Sequence, residues 1–200
     1  MSAGIDQQDL KREKILEASY ERFLHYGYSK TTMNEIAEDL SISKASLYYY
    51  FPDKLNLYAA VLSSIIEGDE ENNNEYLNEK DPIKAISIYL DYRTKFIIKN
   101  YNILEYIRTL NLNVPKELEP IFTAARSREI KVTTTILEKA KALKVDNAKY
   151  TAELFLDCLE GLRFSILSHK ANFFPDKKQF QSILKREKEF AGIFFKGLGG

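Results

Sequence analysis

The sequence predicts an all-α protein. Only eight Gly and five Pro interrupt its 200 residues, and between them apolar residues recur every three or four positions rather than every second one. That spacing is typical of helices buried along one face and not of strands. A chain of this length buries roughly 70% of the surface its unfolded form exposes, so its core needs no disulfide support.

The first two helices are marked by their ends. The first is predicted over residues 8–26, with Gly27 as its C-terminal stop, because glycine accepts the left-handed conformation that ends many helices. The second opens at Thr32, whose hydroxyl can accept a hydrogen bond from the backbone amide of Glu35. The Glu35 carboxylate can in turn accept from the Thr32 amide, which completes a capping box.

A third helix begins at Ser43, a favourable N-cap residue, three positions after Leu40 closes the second. Two short helices joined so tightly indicate a helix-turn-helix. The third helix covers residues 44–51 and ends before Pro52, since proline disfavours the helical conformation of the residue before it. A fourth helix is predicted over residues 54–66.

The remainder of the chain contains a polar segment and then longer helices. Residues 67–82 are acidic, Asn-rich and poor in apolar anchors, and they predict a mobile linker or a poorly packed turn. Five helices follow, over residues 83–99, 102–112, 116–142, 148–170 and 176–197. The last two are apolar on more than one face, which indicates that a second chain covers part of them.

Composition excludes several classes of function. The chain carries 29 Lys or Arg against 29 Asp or Glu, so any nucleic-acid site has to be local rather than a bulk basic surface. With Cys158 as the only cysteine and two histidines, disulfide frameworks, cysteine-based metal sites and histidine triads lack their residues. We expect no enzyme activity, metal or cofactor, and Cys158 to be an inert packing residue. A helical enzyme that uses carboxylates stays open.

The N-terminus lacks the pattern of a secretory signal, and the longest apolar run, residues 57–62, is six residues long. A membrane span needs about 20. We expect a soluble, cytoplasmic protein with no membrane partner.

Residues 10–62 closely resemble the DNA-binding domain of TetR-family transcriptional regulators. The resemblance is carried by Ile15-Leu16-Glu17-Ala18, Gly27, Thr31-Thr32, Ile36-Ala37, residues 43–51 and Lys54-Leu55. It implies an N-terminal three-helix DNA-binding bundle with the helix-turn-helix, over residues 1–54. It also implies a larger helical domain for ligand binding and dimerisation, over residues 55–200.

Helical spacing puts Leu47 and Phe51 toward the small core and the polar residues of the third helix on its other side. The beginning of that helix at Ser43 offers unpaired backbone amides that suit a phosphate or a groove edge. The resemblance implies that backbone phosphates of the duplex contact Thr32, Tyr49, Tyr50 and Lys54. It implies that base edges lie closest to Lys44, Ala45, Ser46 and Tyr48.

Two residues depart from the family pattern. Ser41 stands in the turn where the family usually has Gly, and a left-handed conformation there suits Ser less well. Ala45 also often corresponds to Gly in the family, and its methyl group could instead contact a thymine methyl group.

Aromatic residues of the larger domain could line an effector cavity or simply fill the core. These candidates are Tyr89, Tyr92, Phe96, Tyr106, Phe122, Phe155 and Phe164. Arginines of the same helices, at positions 93, 108, 126 and 163, are expected to be exposed; a buried one would favour an anionic effector.

The whole sequence predicts a homodimeric regulator that binds double-stranded operator DNA under the control of a small-molecule effector. A repressor is favoured over an activator. The dimer is expected to form through the last two long helices. The alternative is a helical small-molecule or lipid-binding protein that does not bind DNA.

Overall fold

The periodicity that predicts helices is realised throughout the described chain. The computed structural model describes residues 7–71, 75–108, 110, 113–140, 143–168 and 175–199, and in these ranges it contains helices and no strand. The helices are α1 (Gln7–Lys30), α2 (Met33–Asp39), α3 (Lys44–Tyr50), α4 (Lys54–Glu71), α5 (Glu75–Asn78), α6 (Pro82–Lys99), α7 (Tyr101–Arg108), α8 (Glu119–Lys139), α9 (Ala148–Ser168) and α10 (Lys177–Leu198).

The chain packs as two units. One unit joins Met1–Glu71 to Asn100–Phe122, and the other joins Asn72–Lys99 to Thr123–Gly200. This division is one of packing and does not test the functional boundary between residues 54 and 55, which stays a prediction.

The first unit is built around α1. The helix is interrupted at Gly27, where φ is +76° and ψ is 169°, a conformation that only glycine adopts readily. The predicted stop at Gly27 is therefore confirmed, although three further residues resume helical geometry. The core of this unit includes Ile15, Phe23, Ile36, Leu47, Leu57 and Tyr58, all of them fully buried.

Two hydrogen bonds attach α7 to α4 and to α1 within the first unit. The Tyr58 hydroxyl of α4 donates to the Ile103 carbonyl at 2.5 Å, and the Asn102 side-chain amide donates to the Leu24 carbonyl at 2.7 Å. Burial raises the pKa of Tyr58 far above its ordinary value. The buried hydroxyl therefore stays protonated and remains a donor at every physiological pH.

The second unit encloses its own apolar core between α6, α8, α9 and α10. Phe155 lies at its centre and contacts the rings of Phe190, Phe194 and Phe195, with centroid distances of 5.9, 5.2 and 5.5 Å. The last helix begins with a capping box at Asp176, whose carboxylate accepts from the amides of Lys178 and Gln179. Its beginning at residue 176 is as predicted.

An ionic cluster lies inside this second unit, where the sequence led us to expect exposed arginines. Arg93 donates to Glu187 at 2.7 Å and to Glu129 at 3.2 Å, and Arg163 lies 3.1 Å from Glu187. The Glu187 side chain is only 1% exposed. The expectation is wrong for Arg93 and Arg163, because carboxylates from α8 and α10, distant in sequence, compensate their charge.

Burial works against the charge of Arg93, but Glu129 and Glu187 outweigh it, and its pKa lies above the usual range. Burial and the neighbouring Arg93 charge lower the pKa of Arg163. Arg126 is partly exposed and pairs with the exposed carboxylates of Asp157 and Glu160. The side chain of residue 108 lies outside the described residues.

Two stretches of the acidic segment 67–82 are helical, which its composition did not suggest. Helix α4 continues to Glu71, and Tyr76 of α5 is buried with its ring 5.3 Å from that of Tyr89. The interpretation as a poorly packed turn is wrong at this position, because one aromatic anchor is enough to attach the segment to the core. Residues 72–74 lie outside the described residues, as do residues 169–174, where the α9 prediction ended.

Other differences are small. The helix predicted from residue 116 begins at Glu119 after a turn, and Cys158 is exposed on α9 rather than packed. No helix among the described residues is long and apolar enough to cross a bilayer.

Candidate DNA-binding site

Side-chain caps fix the start of both helices of the helix-turn-helix. The Thr32 hydroxyl accepts from the Glu35 amide at 3.3 Å, and the Glu35 carboxylate accepts from the Thr32 amide at 2.8 Å. Ser43 caps α3 by accepting from the Ser46 amide at 3.1 Å. Both caps are those predicted from the sequence, and each stabilises its helix by about 1 kcal/mol.

The turn between these helices contains a strained residue. Ser41 has a φ of +52°, which makes it the non-glycine residue with positive φ in the described chain. The left-handed conformation costs a non-glycine residue roughly 1–2 kcal/mol. This energetic penalty explains why glycine is common at this position in the family. With Ser41 there, the turn of this chain is less stable by about that amount.

Helix α3 divides its residues between a buried and an exposed face, as predicted. Leu47 and Phe51 are buried, four residues apart. On the opposite side Lys44 and Ala45 are exposed, together with Tyr48 at 47% and Tyr49 at 72%. Ser46 and Tyr50 lie at intermediate exposure along the borders of this face. A tyrosine exposed to this degree gains little from folding, so its apolar ring is available for a partner.

The tyrosines at the end of α3 are held by α1. The Tyr49 hydroxyl accepts a hydrogen bond from the Gln8 side-chain amide at 3.3 Å. The Tyr49 and Tyr50 rings meet edge to face with centroids 5.3 Å apart, and the Lys11 ammonium lies 5.9 Å from the centroid of Tyr50. These contacts limit the positions that the two hydroxyl groups can take.

Lys54 is engaged inside the protein. Its ammonium donates to the carbonyls of Tyr28 and Thr31 at 2.9 and 3.0 Å, and lies 4.1 Å from the centroid of the Tyr28 ring. Burial lowers the pKa of Lys54, and the nearby Glu35 carboxylate partly offsets this. The lysine thus holds the segment that leads directly into Thr32, and two of its three N–H donors are already used. The predicted phosphate contact is left with the third.

Sequence reasoning missed the role of Arg22. Its guanidinium pairs with Asp39 at 2.5 Å and with Glu35 at 3.2 Å. The hydrogen bond from Arg22 keeps the pKa of Asp39 below its usual range. The only sign of this contact in the sequence is that Arg22 lies on α1, directly before the acidic helix α2. Its consequence is that two carboxylates of α2 are partly neutralised, so they repel a nearby polyanion less.

The seven aromatic effector candidates fall into both units. Tyr106 stacks on Tyr28 at 3.9 Å in the first unit, and Phe122 packs at the border of the same core. The other five, Tyr89, Tyr92, Phe96, Phe155 and Phe164, belong to the second unit. Phe155 is fully buried among other phenylalanines, whereas Phe164 is 62% exposed. The prediction that they line a cavity stays a prediction.

Comparison with known proteins gives a consistent picture. Residues 15–61 match the family model described as "Bacterial regulatory proteins, tetR family". The Escherichia coli HTH-type transcriptional regulator RutR is 35% identical over 80 residues, which are 40% of this chain and 38% of RutR. The Staphylococcus aureus regulator IcaR, a negative regulator of the biofilm operon icaADBC, is 26% identical over 139 residues, covering 60% of this chain and 74% of IcaR.

The likeness to solved structures covers both units. A transcriptional regulator from Cytophaga hutchinsonii is 29% identical with a TM-score of 0.80, covering 95% of this chain and 99% of that one. A TetR-family regulator from Agrobacterium tumefaciens has a TM-score of 0.61 at 22% identity, over 90% and 96% of the two chains. Residues 15–61 therefore match the TetR family of bacterial regulatory proteins, and they form a helix-turn-helix in which both helices are capped.

Proposed function

We propose that this protein is a sequence-specific DNA-binding transcriptional repressor, without enzyme activity, that acts in the cytoplasm and leaves its operator when a small molecule binds. The observation that carries the proposal is the exposed face of α3. There Lys44, Ala45, Tyr48 and Tyr49 stand on a short helix whose other side is anchored by Leu47. A helix of this kind fits the major groove with its first residues at the base edges.

The proposed contacts separate into two kinds. Lys44, Ala45, Ser46 and Tyr48 are assigned to base edges, and Thr32, Ser43, Tyr49, Tyr50 and Lys54 to backbone phosphates. Thr32 is exposed, but its hydroxyl also donates to Glu35 at 2.8 Å, so contact with a phosphate requires this hydrogen bond to be exchanged. The functional DNA-binding domain is then residues 1–54.

Fluorescence anisotropy with two DNA probes tests the proposal. The first is a duplex that the wild-type protein selects from a random pool, and the second is a random duplex of the same length. We expect the Tyr48→Ala variant to lose about 1–3 kcal/mol of binding free energy on the selected duplex and much less on the random one. Tyr26→Ala removes another exposed tyrosine of the same unit and serves as the control.

A wild-type protein that selects no duplex from the pool and does not bind the random duplex would reject DNA binding and favour the alternative, a helical small-molecule or lipid-binding protein. Equal losses on both duplexes would instead show that Tyr48 contacts phosphate or only packs. The two results separate an error about function from an error about one residue.

We further propose that the protein acts as a homodimer through α9 and α10. Ile193 is 72% exposed on α10, and Leu154 and Phe164 are exposed on α9. Gly161 lies between Leu154 and Phe164 on α9. A Cβ added to Gly161 would meet no atom within 4 Å, so the helix surface is open there. Exposed apolar side chains next to small residues allow the helices of a second copy to approach closely.

Sedimentation tests the dimer. The Ile193→Glu variant is expected to sediment as a species of about half the wild-type mass, because a buried glutamate without a partner opposes association. Lys131→Glu, at an exposed position of α8, is the control that should leave the mass unchanged. A wild-type protein that sediments only as a monomer at micromolar concentration contradicts the proposal.

The effector is assigned to the second unit, where Tyr89, Tyr92 and Phe96 lie along one side of α6. An effector is identified in the same anisotropy assay as a compound that releases the selected duplex. Tyr92→Ala should then raise the concentration needed for release without changing the affinity for DNA. A compound that acts equally on wild type and this variant binds elsewhere.

A further inference from the structure

The DNA-binding segment has little positive charge on its recognition helix. Residues 1–54 contain seven Lys or Arg against nine Asp or Glu. Two of the seven cations are engaged within the protein: Arg22 pairs with α2 carboxylates, and Lys54 donates to two backbone carbonyls. Helix α3 itself carries only Lys44. Proteins that bind DNA neutralise several phosphates, so most of the required charge has to come from another element.

The first turns of α1 hold three exposed cations, Lys11, Arg12 and Lys14. Two of them contact aromatic rings at the end of α3. The Lys11 ammonium lies 5.9 Å from the centroid of the Tyr50 ring, and the Arg12 guanidinium lies 5.4 Å from that of Phe51. Lys11 and Lys14 also border, with Tyr49 and Tyr50, an open groove of about 870 Å³ between α1 and the helix-turn-helix. The cations therefore stand next to the tyrosines assigned to phosphates.

The acidic residues of α1 lie on a different side. Glu13 and Glu17 border a separate groove, formed with Val61 and Ile65 of α4. Asp9, four residues before Glu13, shares this side of the helix. The net charge of the segment thus conceals a separation, with the lysines toward α3 and the carboxylates toward α4.

We propose that Lys11 and Lys14 form a second phosphate-binding surface, which extends the contact with duplex DNA beyond the helix-turn-helix along the sugar-phosphate backbone. This inference rests on the proposed DNA-binding function. Tyr49 joins the two surfaces, because its hydroxyl is already held by Gln8 of α1. The contact is electrostatic and reads no base, so it adds affinity for all sequences alike.

The salt dependence of binding measures the number of phosphates contacted. Anisotropy titrations of the intact protein on the selected and the random duplex, at several salt concentrations, give this slope. We expect the Lys11→Gln/Lys14→Gln variant to lower the slope by about two units, since each lost phosphate contact removes about 0.9. By the same relation, affinity at 0.1 M salt falls on the order of eightfold for each lysine, equally on both duplexes.

Matched variants distinguish a local contact from other effects. Lys116→Gln removes an exposed lysine from the same unit, and it should leave the slope unchanged. Lys11→Arg/Lys14→Arg keeps the charge and should keep the slope, which attributes the loss in the Gln variant to the missing charge and not to the changed side-chain shape.

An unchanged slope in the double Gln variant overturns the inference, as does an equal decrease in Lys116→Gln. In both cases the wild-type protein still binds, so the proposed function survives. If the wild-type protein selects no duplex from the pool and does not bind the random one, the proposed function fails, and the inference fails with it.

Discussion

Replacing Lys54 by methionine separates the two roles that this lysine could have. Methionine keeps the apolar part of the side chain and removes the ammonium that the carbonyls of Tyr28 and Thr31 share. Each hydrogen bond to a charged group contributes about 1.5–3 kcal/mol, and a cation over a partly exposed ring adds about 0.5–1 kcal/mol. Water can replace the ammonium at these half-buried carbonyls, so we expect the free energy of unfolding to fall by about 2 kcal/mol rather than by the full sum.

Urea denaturation followed by circular dichroism measures this change. With a slope of about 1–3 kcal/mol per molar urea, a loss of 2 kcal/mol moves the midpoint by roughly 1 M. Lys116→Met, at an exposed position of the same unit, should stay within about 0.5 kcal/mol of wild type. A Lys54→Met variant as stable as wild type would refute the positioning role, and Lys54 would be only a phosphate ligand.

DNA binding by the same variant tests the other role. The third N–H donor of Lys54 is expected to reach a phosphate, so the salt slope should fall by about 0.9 on the selected and the random duplex alike. Weaker binding with an unchanged slope would mean that Lys54 acts only by holding the segment before Thr32. The two measurements together assign both roles without relying on either alone.

Three further changes test the packing. Glu187→Gln leaves two buried guanidinium groups with one carboxylate, and the free energy of unfolding in urea should fall by about 3–5 kcal/mol. Glu189→Gln, on the exposed side of the same helix, should lower it by less than about 0.5 kcal/mol. Similar losses in the two variants would contradict a stabilising role of the cluster. Gly27→Ala should cost about 2 kcal/mol, because φ is +76° and the added carbon would lie 3.4 Å from the Asn102 carbonyl oxygen, and a neutral result would contradict the strain. The pKa of Asp39 is lowered by Arg22, so this pair stabilises the protein above the unfolded pKa of about 4 and the effect is lost as the pH falls through the lower folded value. Arg22→Met should therefore cost about 0.5 kcal/mol at pH 7 and less at pH 3, and a gap that widens in acid would have the wrong sign.

The caps and breaks of the helix-turn-helix could be predicted because the interactions that create them are local. The Thr32 and Ser43 hydroxyls accept from the amides of Glu35 and Ser46, each three residues further along the chain. Gly27 adopts a backbone conformation that other residues avoid. A hydrogen bond over such a short separation depends on residue type and spacing, both of which are visible in the sequence. The two faces of α3 follow from helical periodicity in the same way.

The acidic segment shows where this reasoning stops. Few apolar residues over 67–82 suggested a linker, yet α4 continues to Glu71 and Tyr76 is buried. Glutamate is a good helix former, and a single tyrosine is enough to anchor a short helix when a cavity of matching shape exists in the core. Composition does not reveal whether such a place exists.

The sequence by itself determined the helical class, the caps, the two faces of α3 and the match to the TetR family over residues 15–61, because all of these depend on residues close together in the chain. Only the tertiary structure decided which charges are available. Lys54 is held by carbonyls 23 and 26 residues away, Arg22 by a carboxylate 17 residues away, and Arg93 by Glu187 at a separation of 94 residues. In isolated helices, without these long-range contacts, Lys54, Arg22 and Arg93 would be exposed cations. Long-range packing gives these cations partners within the fold and leaves Lys11, Arg12, Lys14 and Lys44 as exposed cations on α1 and α3, since the partner of a charged side chain is set by the fold and not by its neighbours in sequence.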